Sequence, residues 1–231
     1  MIIFYDTETT GFKPAHIVEL ASVIVSHEGE QWYYQEYAKP PCPIEPGASE
    51  IHGITMEKVA NCDTSEQVAA QWRKNIHEIS GGLGPYYFVA HNNRFDQPVV
   101  EQYGPLPAGS RFICTLRLSR KFYPDAENHK LETMYKLLGS GRPRKAHSAL
   151  DDVIMGYEIL EHFLRSHSIE QLADFCSESQ QLTVMPFGKH KGLPMAQVPL
   201  SYMEFMLGLP DLDPDVRKTF EAQRFQRAGI R

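Results

Sequence analysis

The sequence predicts an α/β fold, a mixed sheet flanked by helices, with a small α+β module at the C-terminal end. Three observations predict it. The chain opens with three strand patterns in succession, then alternates strand and helix signals. Its last residues follow a pattern of their own, a glycine-rich turn and then Met-, Leu- and Phe-rich helical segments. With 231 residues, the chain can hold one α/β domain of about 150–180 residues and a small appendage.

Residues 2–6 are apolar up to an acidic end and read as a strand. Residues 17–26 (IVELASVIVS) and 31–38 (QWYYQEYA) read as two more, joined by a His-Glu-Gly-Glu turn, giving an antiparallel meander. The segment KPPCPIEPGASEIHGIT is too rich in proline for regular structure and is expected to be a loop. Val68, Trp72, Ile76 and Ile79 recur at helical spacing over 65–80, and Gly81-Gly82 stops that helix. YYFVAHN (86–92) reads as a buried strand, 95–103 as a short helix and 112–115 as a short strand. Helices follow over 115–122, 130–138 and 147–166. Residues 167–182 read as a connecting helix and polar linker. The expected division is thus a domain over 1–166, a connector, and a module over 183–231 that begins with an apolar strand before the turn FGKHKG.

The four cysteines are scattered, with no spacing that suggests zinc, and each is expected to be a small buried hydrophobe. No signal peptide or long apolar run is present, which predicts a cytoplasmic protein that makes no use of a membrane. The net charge of −6 speaks against a polyanionic partner, but the local distribution reverses this. Between Arg111 and Lys145, nine basic side chains face three acidic ones, a stripe of charge +6. A second basic run, Arg217 to Arg231, closes the chain. Acidic pairs beside a basic stripe suit a metal-dependent enzyme acting on a polyanion.

The acids are placed accordingly. In DTETTG, Asp6 and Glu8 stand two apart on a strand and point the same way. Like charges that close need a cation between them. Asp96, in AHNNRFD, falls where a strand ends and a helix starts, at the sheet end where open α/β sheets bind ligands. In KAHSALDDVIMGYEILEHFL, Asp152 aligns with Gly156, Ile159 and Phe163 on an apolar stripe, while Asp151 aligns with Glu158, His162 and Arg165. Asp152 is therefore expected to be buried and to need a cation or partner, and Asp151 to be solvated. His147, just before this helix, is placed to act as a base.

In order and spacing, Asp6 and Glu8 in FYDTETTG, Asp96 in AHNNRFD, and His147 with Asp152 in HSALDD resemble the three motifs of the DnaQ-like DEDDh 3′→5′ exonucleases. IVELASVIV and IHGIT resemble that family too, and the likeness runs over about residues 1–165. The resemblance implies an RNase H-like fold and two-metal hydrolysis of terminal phosphodiesters, releasing nucleoside 5′-monophosphates from DNA in repair or end processing. It implies that Asp6 bridges two Mg²⁺ ions, with Mn²⁺ a workable substitute. Glu8 and Asp152 would hold the ion bearing the attacking water, Asp96 would hold the other, and His147 would take the proton. Thr7, Thr9, Thr10, Gly11, Phe12, His52 and Asn92 would contact the 3′-terminal nucleotide. DNA is expected over RNA as the partner, with an RNA 3′→5′ exonuclease and a polymerase-associated proofreading exonuclease as alternatives. A non-enzymatic nucleic-acid-binding module is the other class, and the intact acid set argues against it.

Overall fold

The computed structural model describes residues 1–11, 15–143, 148–179, 181–210 and 212–227. Contacts divide the chain into two compact units, 1–177 and 178–231.

In the first unit, β1 (Ile2–Thr9), β2 (Ile17–Val25) and β3 (Gln31–Tyr37) form the antiparallel meander, and β4 (Tyr87–Ala90) and β5 (Arg111–Cys114) join parallel to β1. The strand order is β3-β2-β1-β4-β5, so β1 lies at the centre of a mixed sheet. Every residue of β2 is buried, whereas edge strand β3 is largely exposed and mixes Trp32 and its tyrosines with polar residues.

Alternation along β1 divides the core in two. Ile3 and Tyr5 pack with Trp72 and Ile76 of α3 (Ser65–Ser80) and Val100 of α4 (Asn93–Glu101). Phe4 points the other way, into the cluster built by Val153, Ile159 and Leu160 of α7 (Ala149–Leu164). On that side lie also α5 (Thr115–Phe122), α6 (Leu131–Leu138) and α8 (Ile169–Ser177). A complete capping box, Thr64 with Gln67, starts α3, and a left-handed Gly81 ends it.

Several expectations are corrected. The proline-dense segment is not all loop: it holds α1 (Pro46–His52) and α2 (Met56–Val59). Pro46 stands in the first turn of α1, where its missing N–H costs nothing, and Gly53 closes the helix in a left-handed conformation. The β4 strand ends at Ala90, and α4 begins two residues before the expected start. Cys114 and Cys176 are buried, but Cys42 and Cys62 are only half-buried.

The basic stripe is partly consumed inside the unit. Arg111 pairs with Asp174 at 2.5 Å, Arg117 donates to the Cys176 carbonyl, and Lys121 lies 4.5 Å over the Phe175 ring. All three partners belong to α8, so these cations hold a helix and are not free to track phosphates. Arg144 and Lys145 lie outside the described residues.

In the second unit, a core of Met185, Met195, Val198, Met203, Val216 and Phe220 joins a short 3-10 turn (Met195–Gln197), α9 (Leu200–Leu207) and α10 (Pro214–Arg227). In place of the expected apolar strand stands one isolated bridge between Val184 and Pro194. Pro186 and Pro194 supply no N–H to extend the ladder. The C-terminal basic run is also employed internally. Arg217 donates to the Leu207 and Leu209 carbonyls, Lys218 to that of Ser179 and Arg227 to that of Val198.

Candidate active site

Asp6 and Glu8 share the face of β1 that carries Phe4, and so look toward α7. Asp152 stands in the first turn of that helix. One carboxylate oxygen from each of the three lies within 4.8 Å of the others. The approach of helix to strand is set by Gly156, where a Cβ would stand 2.1 Å from Cζ of Phe4. Only glycine lets α7 come down on β1 this closely and bring Asp152 with it.

Asp151 and Asp152 are both half-buried, which corrects the contrast expected between them. Burial does not separate the two; convergence with Asp6 and Glu8 does. Both lie in the first helical turn, where the free N–H groups favour carboxylates and reduce the need for complete burial.

Asp96 approaches from the other side of the sheet. Odd-numbered Thr7 points with Tyr5 toward α4, and its backbone N–H and hydroxyl both donate to Oδ1 of Asp96, at 3.1 and 2.8 Å. Asp96 is buried and stands apart from the Asp6–Glu8–Asp152 cluster, although its charge is felt by Asp6. Thr7 therefore has its polar groups turned to a carboxylate of this chain.

Burial, and then the neighbouring carboxylates Asp96, Asp152, Glu8 and Glu19, push Asp6 well above the usual carboxylate range. Glu8 is pushed up to about 8, first by burial and then by Asp152. Burial raises Asp96 to about 7 against the opposing pull of its hydrogen bonds from Thr7. Such a set holds protons unless a cation replaces them. Its hard oxygen donors, without sulfur, fit a divalent ion of the magnesium or manganese kind.

Glu19, which sequence reasoning did not single out, belongs to the same neighbourhood. It is buried and faces Glu8 directly across the β1–β2 ladder, next to a bulge between Glu8 and Thr9. Its carboxylate accepts from Gln35 Nε2 at 2.6 Å and from the Ala149 N–H at 3.4 Å. It thereby stands at the start of α7, where Ser148 makes no side-chain cap. The readable signal was a lone acid inside an apolar strand buried on both faces.

The remaining predicted residues surround the end of β1. The Thr9 hydroxyl donates to the Gly11 carbonyl at 3.1 Å, and the Thr10 hydroxyl accepts from the His16 N–H at 3.1 Å. Gly11 has φ 144°, and a Cβ there would meet the Glu45 side chain at 2.3 Å. His52 accepts from the Ile54 N–H through Nδ1 and so presents Nε2–H to the Thr9 carbonyl, tying the IHGIT loop to the strand. Asn92 is exposed, with φ 81°, and starts α4. Phe12 and His147 lie outside the described residues.

Comparison with known proteins gives a family match, one relative and two solved structures of similar fold. The model of a family described as exonuclease matches residues 3–160. Exodeoxyribonuclease 10 of Escherichia coli K12 is 29% identical over 230 residues, covering 96% of this chain and 97% of that one. The structure of exonuclease X in complex with 5′ overhanging duplex DNA is 29% identical, with a TM-score of 0.58 over 76% of this chain and 99% of that one. The nuclease domain of 3′hExo, a DEDDh family member bound to rAMP, shares the fold at 22% identity and a TM-score of 0.59, covering 71% of this chain and 91% of that one.

Proposed function

The chain belongs to the exonuclease family, and on that premise we propose that it removes nucleoside 5′-monophosphates from the 3′ end of DNA, assisted by Mg²⁺. The observation that carries this reading is the convergence of Asp6, Glu8 and Asp152 within 4.8 Å. DNA is favoured over RNA because the relative similar along nearly its whole length is an exodeoxyribonuclease.

Asp6, Glu8 and Asp152 would hold a divalent metal, with Asp96 contributing from the opposite side of β1. The bound metal supplies an activated water and neutralises charge on the phosphate. Glu19 keeps the start of α7 against β2, so that Asp152 meets the strand. His147, just ahead of that helix, takes the proton from the attacking water, a contribution of roughly 10²–10⁴ in rate.

The test is release of 3′ label from matched DNA and RNA oligonucleotides, with Mg²⁺ and with EDTA. The reading expects Mg²⁺-dependent mononucleotide release from DNA, at least about 10²-fold slower in Asp152→Ala. His147→Ala is expected to lose turnover by a similar factor while keeping metal affinity. Preference for the RNA oligonucleotide would move the chain to RNA trimming, and binding without release would end the enzymatic reading.

A further inference from the structure

We propose that the second unit carries its own site for a single strand of nucleic acid, built on the turn FGKHKG and the exposed face of α9. The choice of nucleic acid rests on the exonuclease reading; the site itself rests on what this unit leaves unused.

The other cations of the unit are largely occupied, since Arg217, Lys218 and Arg227 all bond backbone carbonyls. Lys189 and Lys191 are different. Both are exposed, and among the described residues neither side chain has an ion-pair or hydrogen-bond partner. The turn holding them is well fixed. Met185 N–H donates to the Leu193 carbonyl and Gly192 N–H to the Met185 carbonyl, both at 2.8 Å. Lys191 N–H reaches the Gly188 carbonyl at 3.1 Å, and Leu193 N–H reaches that of His190 at 3.0 Å. Two cations are thus presented on either side of His190 by a braced backbone.

Aromatic rings continue from that histidine. His190 stands edge-on to Tyr202 with ring centroids 4.5 Å apart, and Tyr202 lies 6.4 Å from Phe205. The Tyr202 hydroxyl rests against Gly188, which joins α9 to the turn. Phe205 is 64% exposed, although its neighbours Met203 and Met206 are buried. The acid of this helix, Glu204, lies two residues from Tyr202, more than half a turn round.

Free lysines beside exposed rings match the two components of a nucleic-acid strand, phosphates and base faces. A purely acidic partner would leave the rings unused, and an apolar one would strand the lysines. Because both units are one chain, a strand held here raises the local concentration of its 3′ end for the first unit.

The test uses the full chain and a fluorescent single strand of about 20 nucleotides, longer than the roughly 4–16 that single-strand sites cover, with affinity read in EDTA so that hydrolysis plays no part. Lys189→Gln with Lys191→Gln is expected to weaken binding about 10-fold and to lower the slope of log affinity against log salt by roughly 1.4, two phosphate contacts at 0.7 each. Phe205→Ala is expected to weaken binding with the slope unchanged, and Phe205→Trp to restore it. Hydrolysis of a trinucleotide, too short to fill a second site while being cut, is expected to stay at the wild-type rate in every variant. Unchanged affinity in the lysine pair overturns the proposal. So does equal loss on the trinucleotide, or a change confined to self-association by sedimentation, which would make the face a protein contact.

Discussion

Thr7 shows how a single side chain governs a site it does not enter. Its hydroxyl and N–H hold one oxygen of Asp96, which orients the other. Thr7→Val keeps the shape and the N–H but removes the hydroxyl. Activity is expected to fall by about 10–100-fold, as for other partners of metal-holding carboxylates, with Thr7→Ser close to wild type in the same 3′-release assay. His91 offers a second measurement. It donates through Nε2 to the His129 carbonyl, accepts from Thr115 through Nδ1, and is lowered from 6.5 to about 4, mainly by burial, with Arg120 and His129 also opposing its charge. Between those values the unfolded chain binds a proton that the folded one does not, so stability falls as pH drops from 6.5 toward 4. The full loss is about 3 kcal/mol. Denaturant unfolding across that window is expected to show a shallower acid loss in His91→Gln than in the wild type.

Among the elements, α7 and β1 together carry most of the site, and Gly156 sets their distance. Gly156→Ala drives a methyl into the Phe4 ring. A destabilisation of about 1–3 kcal/mol, or roughly 2–10 °C in Tm by calorimetry, is expected together with loss of activity as Asp152 moves. Phe4→Leu makes room for the methyl, so the double variant is expected to recover part of both losses. Elements differed in how openly the sequence displayed them. Asp6 and Glu8 were legible because a period of two is a local property. Asp152 was separated from Asp151 by a stripe that overstated its burial; what distinguishes it in the structure is its convergence with Asp6 and Glu8. Glu19 was hidden inside an otherwise apolar strand, its partners Gln35 and Ala149 lying 16 and 130 residues away. Arg111 and Arg117 read as a phosphate track because their α8 partners are some 60 residues further on. The helix α1 was obscured by counting prolines without asking which position each occupies.

On the scale of the whole molecule, the central strand brings two half-buried acids against a third carboxylate, a like-charge cluster that a bound cation would offset. Adding Mg²⁺ to metal-free protein at neutral pH is expected to raise Tm, the stability gained being about 2.7 kcal/mol at a hundred times the dissociation constant. EDTA reverses it, and Asp6→Asn should remove most of the increment in a thermal scan. No described helix is long and apolar enough to cross a membrane. One further consequence follows from β1 sending Asp6 and Glu8 to one layer and Thr7 to the other. Adding a single residue between Phe4 and Asp6 would invert everything beyond it, aiming the two acids at α4 and the threonine at α7. Substitution can be graded along this strand, but length cannot. An added residue in the exposed turn at 27–30, between β2 and β3, would leave the facing of β1 untouched.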